Sequence, residues 1–341
     1  MFFQEFIAKF KDFENQLKKL PVSLFGDLRL KPFRIVVAGG VGVGKSSVIE
    51  RIIKVRLPKG KDGCTRRPVI IPLALSEPLG CSEEEVKMIE KIPLVLNEEA
   101  PIEFVDLPGL TGMPRPDQPF EYPQMTQELF DDYVQSADLI LLCLPADADF
   151  VNSDALRRLQ QLEIPDDKII GAISKVDLLE EPAKIDLENA STFGAVVLLR
   201  NAPNLEIDEP IDVVKKKEAE FFKSFQTPFS TGIENLKREI LRSSNSWFER
   251  KKNEIVLRFL KEETRLRNRL TYLLDPNISL TIVLSYIERV SKELNTAESV
   301  NSRLNWLFWN VLPESFDSID PLEGLNRDQL RILLKNSQVN K

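Results

Sequence analysis

The stretch Phe33-Arg34-Ile35-Val36-Val37-Ala38-Gly39-Gly40-Val41-Gly42-Val43-Gly44-Lys45-Ser46-Ser47 decides the fold class. A β-branched run, read as a strand over 33–38, leads into Gly39 to Ser46, which fits G-x4-G-K-[ST], and a helix is expected over 45–55. Strand, glycine loop and helix in this order form a phosphate cradle. The glycines let backbone N–H groups turn inward and the helix N-terminus adds partial positive charge. Lys45 is placed to reach β and γ phosphates, and the Ser46 hydroxyl to ligate Mg2+. Composition alone yields such a match in a chain of this length less than about once in a hundred.

Two motifs downstream extend the reading. Phe104-Val105-Asp106-Leu107-Pro108-Gly109 closes an apolar strand with an acid and a tight turn. Asp106 suits a water-mediated Mg2+ contact and the Gly109 N–H suits a γ phosphate. D-x-x-G is weak alone and gains its meaning from the phosphate loop upstream. Ile173-Ser174-Lys175-Val176-Asp177 then resembles the [NT]-K-x-D base-reading motif of GTPases, with Ser174 retaining a hydroxyl. A carboxylate at Asp177 accepts from guanine N1–H and the exocyclic amine, a donor pair adenine lacks, so the nucleotide expected is GTP. A phosphate-loop ATPase or kinase is the competing class and fits Ser174 to Asp177 poorly.

Around these motifs, short apolar runs alternate with helical stretches, the pattern of an α/β domain with a mainly parallel central sheet. Strands are expected over 33–38, 68–75, 101–106, 138–144, 168–174 and 195–199, and helices over 45–55, 122–135, 153–162 and 210–225. From Thr231 the strand signal fades. Ile233, Leu236, Ile240, Trp247, Ile255, Phe259, Leu266 and Leu270 follow helical spacing, implying one long helix or two in series. Asp275-Pro276-Asn277 breaks the pattern, with further helices expected over 279–294, 299–312 and 326–335. At the other end, Phe3, Phe6, Ile7, Phe10, Phe13, Leu17 and Leu20 recur at steps of three and four. That stripe suits packing on other helices. Its phenylalanines and lysines also suit a membrane surface, although Glu5, Asp12 and Glu14 do not.

Composition narrows the function classes. The chain has 341 residues, 43% hydrophobic and 29% charged, as in ordinary globular proteins. Its 53 acids against 46 bases give a net charge of -7, which disfavours nucleic acid as a partner. The basic stretches at 215–217 and 265–269 read as solvated helix faces, with acidic lipids an alternative for the second. Histidine is absent, which removes imidazole general bases and Ser-His-Asp catalysis. Cys64, Cys81 and Cys143 are too few and scattered for a disulfide framework. A reducing compartment and a cytoplasmic chain are expected, with no run near the roughly 20 apolar residues of a membrane span.

With these residues in view, the sequence resembles the dynamin-family large GTPases. VVAGGVGVGKSSVIE is similar to the family's phosphate loop, LPKGKDGCTRRP to its first switch with Thr65 at the Mg2+-binding threonine, and DLPGLTGMPRPDQP to its second switch. PADADFVNSDALRRL resembles the loop that reaches across a dimer of GTPase domains, placing Asp149 there, and Val197-Leu198-Leu199-Arg200-Asn201 resembles the last base-contacting loop. The resemblance implies a neck helix over 1–29, a GTPase domain over 30–230, a neck region over 231–275 and partial stalk helices over 276–341.

It further implies nucleotide binding by Gly39, Gly40, Val41, Gly42, Val43, Gly44, Lys45, Ser46, Ser47, Ser174, Lys175, Asp177, Arg200 and Asn201. The catalytic set is Lys45, Thr65, Asp106 and Gly109, and Ser46, Thr65 and Asp106 hold the metal. GTP is the implied substrate and Mg2+ the cofactor. Implied partners are a second GTPase domain, membrane lipids met peripherally, and a protein or second chain covering an apolar groove on the neck. The last follows because a third neck helix comes from the far C-terminus in the family, whereas this sequence stops at Lys341 in the stalk-like part, as a truncated product, a fragment or a reduced relative would.

Three departures bear on mechanism. Val41 replaces a glutamine that helps order the attacking water, Gly42 a serine that helps hold a monovalent cation, and Gly112 a basic residue. The place of that cation is therefore left open, with Lys61 as a candidate substitute. Two functions remain: a membrane-remodelling or fission GTPase, and a GTP-dependent binding or regulatory module with weakened catalysis.

Overall fold

The computed structural model describes residues 2–18, 30–57, 65–73, 82–91, 93–96, 100–179, 193–200, 211–225 and 227–273. The expectations on Lys61, Cys64, Cys81, Asn201 and the helices after residue 276 lie outside these. The chain divides into two compact units, Met1–Ile7 with Lys31–Trp247, and Ala8–Leu30 with Phe248–Lys341.

In the first unit, eight strands among the described residues form one sheet. They are β1 (Phe33–Ala38), β2 (Val69–Pro72), β3 (Leu94–Val95), β4 (Ile102–Asp106), β5 (Leu139–Pro145), β6 (Ile169–Ser174), β7 (Ala195–Leu198) and β8 (Ser230–Thr231). Their order is β3-β2-β4-β1-β5-β6-β7-β8, and every pairing is parallel except β2 with β4. The central strands are apolar on both faces because helices cover a parallel sheet on both sides. Ile35, Val36 and Val37 of β1 and Ile140, Leu141 and Leu142 of β5 are wholly buried. Val36 pairs with Val105 on one side and Ile140 on the other, so β1 occupies the centre.

The helices are α1 (Gln4–Leu17), α2 (Lys45–Ile53), α3 (Glu83–Lys87), α4 (Tyr122–Gln135), α5 (Asp154–Gln161), α6 (Ile211–Lys223) and α7 (Ile233–Leu273). Ser82 opens α3 with a capping box, a pattern that satisfies two orphan N–H groups at once. Between α4 and α5, Arg158 donates from Nε to Asp131 Oδ1 at 2.8 Å and pairs through Nη2 with Oδ2 at 2.5 Å. The mainly parallel sheet agrees with the sequence pattern. The two-residue strands β3 and β8 escaped it because they are too short to carry an alternation. The stretch from Ile233 is one helix of 41 residues.

Of the N-terminal stripe, Phe3, Phe6 and Ile7 in the first unit and Phe10, Phe13 and Leu17 in the second are buried, and Leu20 lies outside the described residues. Within the second unit the Phe13 ring meets Phe248 edge-on at 5.6 Å, and Phe10 lies 6.0 Å from the same ring. Such aromatic pairs contribute about 0.5–1.5 kcal/mol beyond their buried area. Among the described residues, no helix is long and apolar enough to cross a membrane.

Candidate nucleotide site

Parallel strands end at one edge of their sheet, and the strand order reverses around β1, so the loops after β1, β4, β6 and β7 gather there. This is where open α/β sheets bind ligands. The loop after β1 is Gly39 to Gly44. Gly39 has φ +144, and a Cβ there would sit 2.5 Å from the Cys143 carbonyl oxygen, so only glycine lets the loop pass β5. Lys45 opens α2 and donates from Nζ to Gly40 O at 2.8 Å and Gly39 O at 3.3 Å, lying along the rim of the loop. Burial pushes its ammonium below the ordinary lysine value, with Asp106 opposing.

The loop after β4 closes on the first. Gly40 and Leu110 form a parallel bridge, Leu110 N donates to Gly39 O at 3.3 Å, and a Cβ on Gly109 would lie 2.7 Å from Val41 N and Cα. Gly109 therefore lies directly against the residue that replaces the expected glutamine.

Three predicted metal-site side chains meet here. Ser46 Oγ donates to Asp106 Oδ2 at 2.6 Å, Thr65 Oγ1 donates to the same oxygen at 3.2 Å, and the two hydroxyls are 3.4 Å apart. Burial pushes the Asp106 carboxyl above the ordinary aspartate value, against the pull of Lys45 and both hydroxyls. Its Oδ1 is buried with no hydrogen-bond partner. An unanswered oxygen on a buried carboxylate is costly, and two hydroxyls beside it complete an all-oxygen set of the kind Mg2+ prefers. The residues fit the ion. Arg66, next to Thr65, donates its N–H to Val86 O at 2.9 Å and pairs through its guanidinium with Asp117, which fixes the approach of Thr65. That pairing also holds the Asp117 carboxyl below its usual range.

The other end of the cleft, where the sequence motif predicts the base, is built by β6 and β7. Ser174 is wholly buried, and its hydroxyl donates to Val43 O at 2.7 Å and contacts Leu144 O at 3.3 Å, bracing the phosphate loop. Lys175 takes a left-handed conformation with φ 61, after which Val176–Leu178 make one 3-10 turn carrying Asp177. Arg200 follows β7 and is half-buried. Asp149 lies in the exposed loop after β5, accepting from Asn152 Nδ2 at 3.0 Å. Ser47 is half-buried on α2, and Gly42 is exposed with open space around it. Cys143 is a buried free thiol pushed up to about 12 by burial.

Motif reading passed over two residues here, Arg51 on α2 and Glu218 on α6, which form a buried ion pair at 2.5 Å beside Arg200. Each reads in the sequence as an ordinary charge within a helix, with Lys54 near the first and Lys215 near the second.

The profile of the Dynamin family matches residues 35–99 and 81–176. Dynamin-related protein 3A of Arabidopsis thaliana is 24% identical over 95% of this chain and 48% of its own length. Dynamin-2 of Bos taurus is 32% identical over 62% of this chain and 29% of its own length. The chain thus spans about half the length of the first of these relatives, 48%, and less of the second. Among solved structures, Aquifex aeolicus Era covers 59% of each chain at 16% identity and a TM-score of 0.35, a likeness too remote to bear on function. The matched residues run from β1 to Val176, just after β6, and so take in the phosphate loop, Thr65, Asp106 and Ser174; over this part the chain is similar to the dynamin family.

Proposed function

We propose that this protein binds and hydrolyses GTP with Mg2+, pairs through its GTPase domains, and acts peripherally on membranes in remodelling or fission. The observation that carries the chemical part is the convergence of Ser46 and Thr65 on one oxygen of Asp106, whose other oxygen is buried and unanswered. Ser46 and Thr65 would hold the metal directly and Asp106 through water, and the bound ion supplies neutralisation of charge on the phosphate oxygens. Lys45 stands where it can turn from the Gly39 and Gly40 carbonyls to a phosphate oxygen. The Gly109 N–H is held beside Val41, where a γ phosphate would be sensed. Asp177 accepts from the guanine edge.

Phosphoryl transfer depends on positioning and charge stabilisation, and Val41 offers no polar atom to orient water. This favours a second reading, a GTP-dependent binding or regulatory module with weak turnover. Pairing of two GTPase domains, with Asp149 at the facing loop, would supply what Val41 lacks.

GTP turnover per mole of protein, measured over a wide protein concentration range in potassium and in a bulky organic cation, separates the two. A specific rate that rises with concentration supports the paired enzyme. A slow rate flat with concentration, beside tight GTP binding, contradicts it and leaves the module. A rising rate lost without potassium identifies a bound cation despite Gly42, whereas one that persists but falls in Lys61→Ala assigns the charge to Lys61.

A further inference from the structure

We propose that the buried Arg51–Glu218 pair is a positioning device for guanine recognition, holding Arg200, just after β7, in register with the phosphate-loop helix and the first turn of α7. The inference rests on the GTP reading above and names residues that the motifs do not contain.

Both side chains are almost wholly enclosed, at 6% and 3% exposure. Arg51 Nη1 donates to Arg200 O at 2.9 Å, while Glu218 Oε1 accepts from Arg200 N at 3.1 Å. One ion pair therefore grips a single loop residue by its carbonyl and its amide. Arg200 is not otherwise anchored by strand pairing, since β7 ends at Leu198. The other carboxylate oxygen, Oε2, meets Arg51 Nη2 at 2.5 Å and accepts from Ile233 N at 2.8 Å. Ile233 begins α7, where N–H groups lack helical partners and a carboxylate is favoured by the dipole. Beside it, Gly232 N donates to Leu198 O at 2.8 Å. The end of β7, the last turn of α2, α6 and the start of α7 are thus joined at one carboxylate.

A buried ion pair is weak evidence for stability, because desolvation offsets much of the attraction and apolar residues of similar volume often serve the fold as well. What apolar residues cannot do is hold the N–H and the C=O of one residue, and only the planar fork of arginine spans a carboxylate and a carbonyl together. The pair is better placed to fix geometry than to add stability. The geometry it fixes belongs to the base end of the cleft, since the phosphate loop is held by its own glycines and by Ser174.

The experiment compares GDP, GTP and Mg2+ with inorganic triphosphate, which carries phosphates without a base, on the whole chain. Glu218→Gln alone strands the Arg51 charge and can unfold the protein, so the informative variant is Arg51→Met with Glu218→Met, and Arg51→Lys is the conservative one. The double variant is expected to melt within a few degrees of the parent, lose about tenfold in GDP affinity as expected for a lost backbone anchor, and keep its triphosphate affinity. Its KM for GTP should rise by a similar factor with kcat within about twofold, and Arg51→Lys should fall between. In the unaltered protein, GDP should slow amide exchange at Arg200 and Ile233.

Unchanged GDP affinity in the folded double variant overturns the proposal, as does an equal loss of triphosphate and GDP binding, which marks a structural role. Should the double variant not fold, amide exchange decides, and unchanged protection at both residues overturns the proposal. A parent chain that binds triphosphate but prefers no guanine nucleotide overturns the GTP reading itself, a result distinct from the others.

Discussion

At one end of the cleft, Gly39 to Ser46 form one contiguous run in which Gly39 lets the backbone of Cys143 pack close, while Gly109 does the same against Val41. At the other, Arg200 is gripped by the buried Arg51–Glu218 pair, with Arg51 and Arg200 149 positions apart in sequence, while Ser174, Lys175 and Asp177 lie at and just after the end of β6. The first end needs glycine where a Cβ would strike Cys143 O or Val41. The second needs hydrogen bonds from buried polar groups. A site built on one contiguous glycine run tolerates little at its glycines, whereas a site assembled from separate anchors loses affinity in steps as single anchors are removed.

The largest effect tests the phosphate end. Lys45→Ala should lower GTP affinity at least about 100-fold, because a charge-assisted contact to phosphate in a buried loop is lost, and titration with a fluorescent GTP analogue checks this. Gly109→Ala comes next. Its Cβ would meet the Val41 backbone at 2.7 Å, so the loop after β4 must move off the phosphate loop, and turnover should fall about 10- to 100-fold. GDP, which has no γ phosphate, should bind within about twofold of the parent. A comparable loss of GDP binding would show that the two loops fold as one unit.

Smaller effects belong to the base end. Ser174→Ala leaves the Val43 carbonyl without its buried donor, and should cost about 1 kcal/mol in denaturant unfolding with a several-fold loss of GDP affinity. The smallest effect falls between the ends, at Cys143. With its thiol raised to about 12 by burial, only about one part in ten thousand is thiolate at pH 8. A Cys64→Ser, Cys81→Ser variant should therefore resist alkylation while folded and gain reactivity as pH rises or as the chain unfolds. Rapid labelling in the folded state would show that β5 is open at the phosphate loop.

The same contrast explains what could be read from sequence. The phosphate loop was legible because its chemistry is confined to adjacent residues, and the sheet because β1, β4, β5 and β6 are continuous apolar runs. Thr65 could be placed only through resemblance, since a lone threonine carries no pattern. Arg51 and Glu218 were illegible because each is an ordinary helix charge until folding brings them to 2.5 Å. The antiparallel direction of β2 was also hidden, because an apolar strand reads the same in either sense.

The central claim is that one cleft holds Mg2+ and phosphate at Ser46, Thr65 and Asp106 and selects guanine at Asp177. The most direct measurement is equilibrium binding of GTP and ATP to the whole chain, each with Mg2+ and with a chelator. The account predicts that GTP binds at least about 100-fold more tightly than ATP, since a site built to accept from guanine leaves its carboxylate unanswered by adenine, and that chelation weakens GTP binding. Equal affinity for the two nucleotides, or GTP binding indifferent to Mg2+, would contradict it.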